Sequence, residues 1–141
     1  MNKIEILRNL LAKYRLNTLK EETESYDPIK MTMISSGQIS PSESIIYKKS
    51  EFDLVLNKEL DTAYLQTTDI KFKTPEGYFI GYEWDKIYEQ DQKEIERMAG
   101  WGYYIRLESG WQLGFCEGET CTDSVPTNRS KIDWIFRRGN G

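Results

Sequence analysis

Between Tyr103 and Phe115 the chain alternates core-type and surface-type residues, breaks at Glu108-Ser109-Gly110, and resumes the alternation. A period of two marks a strand with one face in a core, and a three-residue break ending in glycine suits a hairpin loop with left-handed backbone at its last position. The register follows. Leu107 is expected opposite Trp111, Ile105 opposite Leu113 and Tyr103 opposite Phe115, all on one face. The other face then carries Tyr104, Arg106, Gln112, Gly114 and Cys116, with the Tyr104 ring covering Gly114. On this reading the aromatic density of Gly100 to Gly118 is core packing rather than a platform for a ligand.

Other strand signals surround this hairpin. IKMTMIS, FDLVLN and AYLQ read as strands, and DIKFK is expected to pair with YFIGYEW through a turn at Thr74-Pro75-Glu76-Gly77. KIDWIFRR predicts a last strand with Ile132, Trp134 and Phe136 on one face and Lys131, Asp133 and Arg137 on the other. Ser40-Pro41-Ser42-Glu43 fits a helix start, yet its continuation SIIYKKS fits a strand equally, so residues 41–49 stay open between the two. Two helices are expected. Ile4, Leu7, Leu11 and Tyr14 recur at helical spacing, which predicts an amphipathic helix from about Lys3 to Leu16. Asp91-Gln92-Lys93-Glu94 offers a capping box, Ile95 and Met98 an apolar edge and Gly100 a stop, which predicts a short helix over about 92–99.

A chain of 141 residues, 38% hydrophobic and 13% aromatic, suits a single globular domain, 1–141, with one substantial core. The fold class expected is α+β: a mainly antiparallel, bent sheet, or a partly closed barrel, packed against the N-terminal amphipathic helix.

Composition also removes function classes. There is no histidine, so Ser-His-Asp and Cys-His catalysis have no imidazole to take the nucleophile's proton. Cys116 and Cys121, the only cysteines, make a poor zinc set, and no phosphate loop, EF-hand or metalloprotease signature occurs; no metal and no cofactor are expected. The N-terminal segment is interrupted by Glu5, Arg8 and Lys13, unlike a secretory signal, and no stretch reaches membrane-spanning length. A cytoplasmic location is therefore expected, with the two cysteines as free thiols and no membrane partner. Net charge is -4, which opposes nucleic-acid binding by the small basic group Arg129, Lys131, Arg137 and Arg138.

Two functional readings remain. In the first, Glu83, Asp85, Tyr88, Glu89, Asp91 and Glu94 form an acidic patch with an aromatic anchor that docks onto a basic protein partner. A small, acidic, single-domain chain lacking a catalytic set resembles bacterial immunity proteins in type, and that resemblance implies an inhibitor neutralising a basic toxin or nuclease by direct binding. The alternative is a small-molecule site, or a histidine-independent carboxylate enzyme, on the polar face of the sheet. There Arg106, Gln112 and Asp133, with Glu83, are expected to converge.

Overall fold

A computed structural model describes residues 30–139. Eight strands run in chain order: β1 (Lys30–Ser35), β2 (Gln38–Tyr47), β3 (Ser50–Leu56), β4 (Thr62–Thr67), β5 (Ile95–Met98), β6 (Gly102–Arg106), β7 (Gln112–Phe115) and β8 (Trp134–Arg138). They form one antiparallel sheet in the order β1-β2-β3-β4-β8-β7-β6-β5. The long excursion between β4 and β5 lies across one face, so β8 can join the two halves.

The opening hairpin is where the alternation places it. Tyr103, Tyr104, Ile105 and Arg106 pair with Phe115, Gly114, Leu113 and Gln112. Gly110 has φ of 93° and donates to the Leu107 carbonyl at 3.0 Å, and the Leu107 amide bonds to Trp111. Trp111, Leu113, Phe115 and Ile105 are buried in the main core with Phe52, Leu54, Leu65, Ile132 and Ile135. The excursion covers this core by inserting Phe72, Tyr78 and Ile87, with Ile80, Tyr82 and Trp84 packed alongside.

The α+β expectation is corrected. The described fold is nearly all sheet, curled into a half-barrel, and its longest helix is the single turn Glu89–Gln92. The amphipathic helix expected over Lys3 to Leu16 lies outside the described residues. Among the described residues, what covers the main core is the irregular segment from Phe72 to Ile87. The helix expected over 92–99 is also corrected, because Ile95–Met98 is a strand paired with β6. The reason is instructive. Residues three apart share one side of a helix but opposite sides of a strand, and this sheet is buried on both sides: Ile95 packs against the main core and Met98 against a second one.

That second core occupies the face expected to be polar. Val55, Tyr64, Trp101, Tyr104 and Phe136 are buried there, with Trp134 packed against them. Gly114 and Gly102 leave a trough that the Trp134 indole fills; a Cβ at Gly114 would lie 2.2 Å from that ring. So Trp134, not Tyr104, covers Gly114. Trp101 meets Trp134 and Phe136 with ring centres 5.1 Å apart in each pair, close to edge-on. The Arg138 guanidinium lies 5.2 to 5.4 Å from the centres of Tyr64, Trp101 and Phe136, a cation held by ring faces.

Three smaller expectations change as well. Residues 41–47 resolve as strand, since β2 pairs first with β1 and then with β3, and Lys48-Lys49 is the left-handed turn between β2 and β3. The Thr74–Gly77 turn forms, with Gly77 donating to Thr74 at 2.8 Å, but a single bridge, Lys73 to Phe79, replaces the two strands expected around it. Ile132 joins the main core while Trp134 and Phe136 join the second, because β8 begins only at Trp134 and Ile132 is positioned by bonding to Gly81 and Tyr82.

Candidate functional site

The most outward-facing aromatic feature of the excursion is a knuckle spanning a 3-10 turn, Trp84–Lys86, and the one-turn helix Glu89–Gln92. Its frame is over-determined. Ile87 is buried in the main core, and the Trp84 ring meets Phe115 edge-on at 5.2 Å. The Gln92 amide nitrogen donates to the carbonyls of Trp84 at 2.9 Å and Ile87 at 3.1 Å. From below, the Tyr78 hydroxyl donates to Asp91 at 2.6 Å and accepts the Tyr88 amide at 3.3 Å. Desolvation, reinforced by the bond to Asp91, raises the Tyr78 pKa well above the ordinary phenol range. The phenol therefore stays a neutral donor under the knuckle.

On this frame Tyr88 is 63% exposed. Its ring meets Tyr78 edge-on, with centres 6.3 Å apart, and Tyr78 is in turn backed by Tyr82 at 5.0 Å. Asp85, Glu89 and Glu94 are exposed in the same segment. Glu83 to Glu96 carries six carboxylates against two lysines, a surplus equal to the net charge of -4 on the whole chain. This stretch is thus a strongly acidic run, with a second at Glu117, Glu119 and Asp123.

The predicted patch divides on inspection. Asp85, Tyr88, Glu89 and Glu94 face solvent, whereas Asp91 is occupied by Tyr78. Glu83 is drawn toward Lys86, 3.8 Å away, and its backbone bridges to Lys131. Neither the Tyr78 to Asp91 bond nor the Gln92 latch has a signature in sequence, since each depends on the path of the excursion.

The polar-face alternative does not assemble. Arg106 and Gln112 are backbone partners, but Arg106 turns to Glu96 at 3.4 Å, and Glu96 also accepts the Tyr104 hydroxyl at 2.7 Å. Asp133 sits just before β8, accepting the Cys116 amide at 2.6 Å. Desolvation raises the Asp133 pKa, the Cys116 amide opposes this, and Glu117 adds to it. Glu83 belongs to the knuckle. The four residues do not meet.

A separate polar cleft of about 190 Å³ opens between Lys30, Glu51, Asp53, Gln66, Thr67, Thr68 and Asp69. Its main groups satisfy one another: Lys30 pairs with Asp53 at 2.6 Å, and Asp69 accepts the amides of Glu51 and Lys71, each at 2.9 Å. Those two amides hold the Asp69 pKa below the usual carboxylate range. Among the described residues no group of three or more Cys, Asp or Glu is arranged to hold a metal ion, and no helix is long and apolar enough to cross a membrane.

The free-thiol expectation is corrected, because Cys116 and Cys121 are joined by a disulfide with Cα atoms 4.0 Å apart. Left-handed backbone at Cys121, φ 65°, turns the loop back so that the two sulfurs meet.

No family model matches the chain, and no curated protein matches it. Among solved structures, the crystal structure of the uncharacterized protein yfeY from Escherichia coli is similar at 14% identity, covering 70% of this chain and 80% of that one, with a TM-score of 0.46.

Proposed function

We propose that this protein is a non-catalytic binding module whose Trp84–Gln92 knuckle and adjoining Glu94 dock onto a basic protein partner. The observation that carries the reading is Tyr88, a large ring left 63% exposed on a backbone pinned from below by Tyr78, Asp91 and Gln92. Rigid aromatic anchors lose little entropy on binding and dominate interface energetics. Carboxylates around the anchor steer a cationic surface toward it. Elsewhere the ionisable groups considered for catalysis are paired internally, which favours binding over chemistry.

The narrower expectation of a toxin-neutralising immunity protein is not tested by the fold, and the proposal here is the broader one of a basic protein partner. Disulfides persist in oxidising surroundings, so the Cys116–Cys121 bond supports an encounter outside a reducing cytosol rather than the cytoplasmic location expected from the N-terminal segment.

Site-specific photocrosslinking tests the proposal in the native host. A photoreactive residue at position 88 is compared with one at 46, where Ile46 is 70% exposed on β2. A basic protein captured at 88 and not at 46, and lost when Asp85 and Glu89 are changed to Lys, is the expected result. The same captures at both positions, or only acidic partners, would overturn the reading.

A further inference from the structure

The disulfide closes a loop that does more than connect β7 to β8. Glu117 donates its amide to Cys121 at 3.1 Å, Cys121 to Gly118 at 3.2 Å, and Asp123 to Glu117 at 3.0 Å. The Asp123 carboxylate accepts the Glu119 amide at 3.0 Å and the Thr120 hydroxyl at 2.5 Å, which folds the loop back on itself. The product of this folding is a buried Thr122, whose Oγ1 accepts the Gly100 amide at 3.0 Å, a contact spanning 22 residues.

Gly100 belongs to the turn between β5 and β6, and the residues on either side of it hold the curl of the sheet shut. Trp101 donates its indole N–H to the Met33 carbonyl of β1 at 3.0 Å. Ser36, in the turn between β1 and β2, donates its hydroxyl to Ala99 at 2.5 Å and its amide to the Met98 sulfur at 3.4 Å. These contacts join the first hairpin to the far end of the strand order. A continuous path therefore runs from the disulfide through Thr122 and the Gly100 turn to the first hairpin.

We propose that the Cys116–Cys121 bond is a redox-sensitive clamp that holds the β5–β6 turn in place for the first hairpin to close upon. Its release is a two-electron step. A dithiol reductant attacks one sulfur as thiolate, the S–S bond breaks, and the second reductant thiol resolves the mixed disulfide. Two protons end on Cys116 and Cys121, and the reductant leaves as its own disulfide. The freed loop regains conformational entropy, which weakens the placement of Thr122 and, through it, the turn that presents Trp101. The main core lies off this path and keeps its packing.

Hydrogen exchange followed by NMR, on the whole protein before and after reduction with dithiothreitol, reads this directly. Exchange at the Gly100 amide and the Trp101 indole N–H is expected to accelerate by about tenfold or more, as local opening becomes easier. The amides of Ile105 and Ile135 in the main core are expected to hold their rates. Thr122→Val in the oxidised protein removes the acceptor while keeping the bond, and is expected to accelerate the Gly100 amide without any reductant. Unchanged rates at Gly100 and Trp101 on reduction, or equal acceleration at Ile105 and Ile135, would overturn the proposal.

Discussion

Two aromatic regions of this molecule use their rings in opposite ways. On the second core, Tyr64, Trp101, Tyr104, Trp134 and Phe136 pack against one another, and even the Arg138 cation lies over ring faces. On the knuckle, the rings beneath are packed but Tyr88 is turned outward among carboxylates. Aromatic density therefore does not mark function here. On the proposed reading, what marks it is a ring that the fold holds rigidly and does not cover.

If that contrast is right, the second core should respond to mutation through stability. Phe136→Ala is expected to cost about 3 to 5 kcal/mol, the range for deleting a large buried ring, measured by chemical denaturation. A loss under about 0.5 kcal/mol, typical of surface positions, would break the comparison. The phenols of this core sharpen it further. Burial raises the pKa of Tyr64 despite opposing Arg138 and Trp134, and burial together with the Glu96 bond raises that of Tyr104. The folded state holds these protons more tightly than the unfolded chain. Their contribution is fully present below the ordinary phenol pKa of about 10 and is lost as pH rises toward the folded values. Ultraviolet titration should show these two phenols ionising above the ordinary phenol range.

Smaller effects follow in order. Gly114→Ala drives a methyl into the Trp134 ring and is expected to cost about 1 to 3 kcal/mol, as overpacking does, readable by thermal denaturation. Tyr78→Phe keeps the ring but removes the hydroxyl that joins Asp91 to Tyr88. It is expected to cost about 1 kcal/mol and to broaden the NMR resonances of Tyr88 and Asp91. Tyr88→Ala is expected to change stability by less than about 0.5 kcal/mol while weakening capture of the partner. A large stability loss at Tyr88 would make it a packing residue and erase the contrast.

Local pattern carried the parts of this fold that are local. The β6–β7 register was legible because a glycine-ended loop and a period of two leave one pairing that buries Trp111, Leu113 and Phe115 together. The second core is not legible this way, because alternation by itself implies one wet face. Covering the other face depends on Trp134 lying in the Gly102 and Gly114 trough and on Trp101 reaching Met33, 68 residues away. The same limit applies to the site. Asp85, Tyr88, Glu89 and Glu94 stood out by composition, but only the fold shows that Asp91 bonds Tyr78 inside the knuckle. Free thiols follow from an expected reducing compartment and not from the spacing, which a loop with left-handed backbone at Cys121 closes into a disulfide.

The central claim is that the exposed carboxylates beside Tyr88 guide a cationic partner onto it. The direct test is the association rate with the crosslinked partner, measured by surface plasmon resonance across a salt series, for the parent and for the Asp85→Lys, Glu89→Lys, Glu94→Lys triple variant. Asp91 is left unchanged because it supports the fold. Screening shortens to about 8 Å at physiological ionic strength, so the parent's rate should fall steeply with salt. The triple variant should associate about tenfold or more slowly at low salt, with its denaturation midpoint unchanged. A parent rate indifferent to salt, or a triple variant that associates as fast as the parent, would contradict the account.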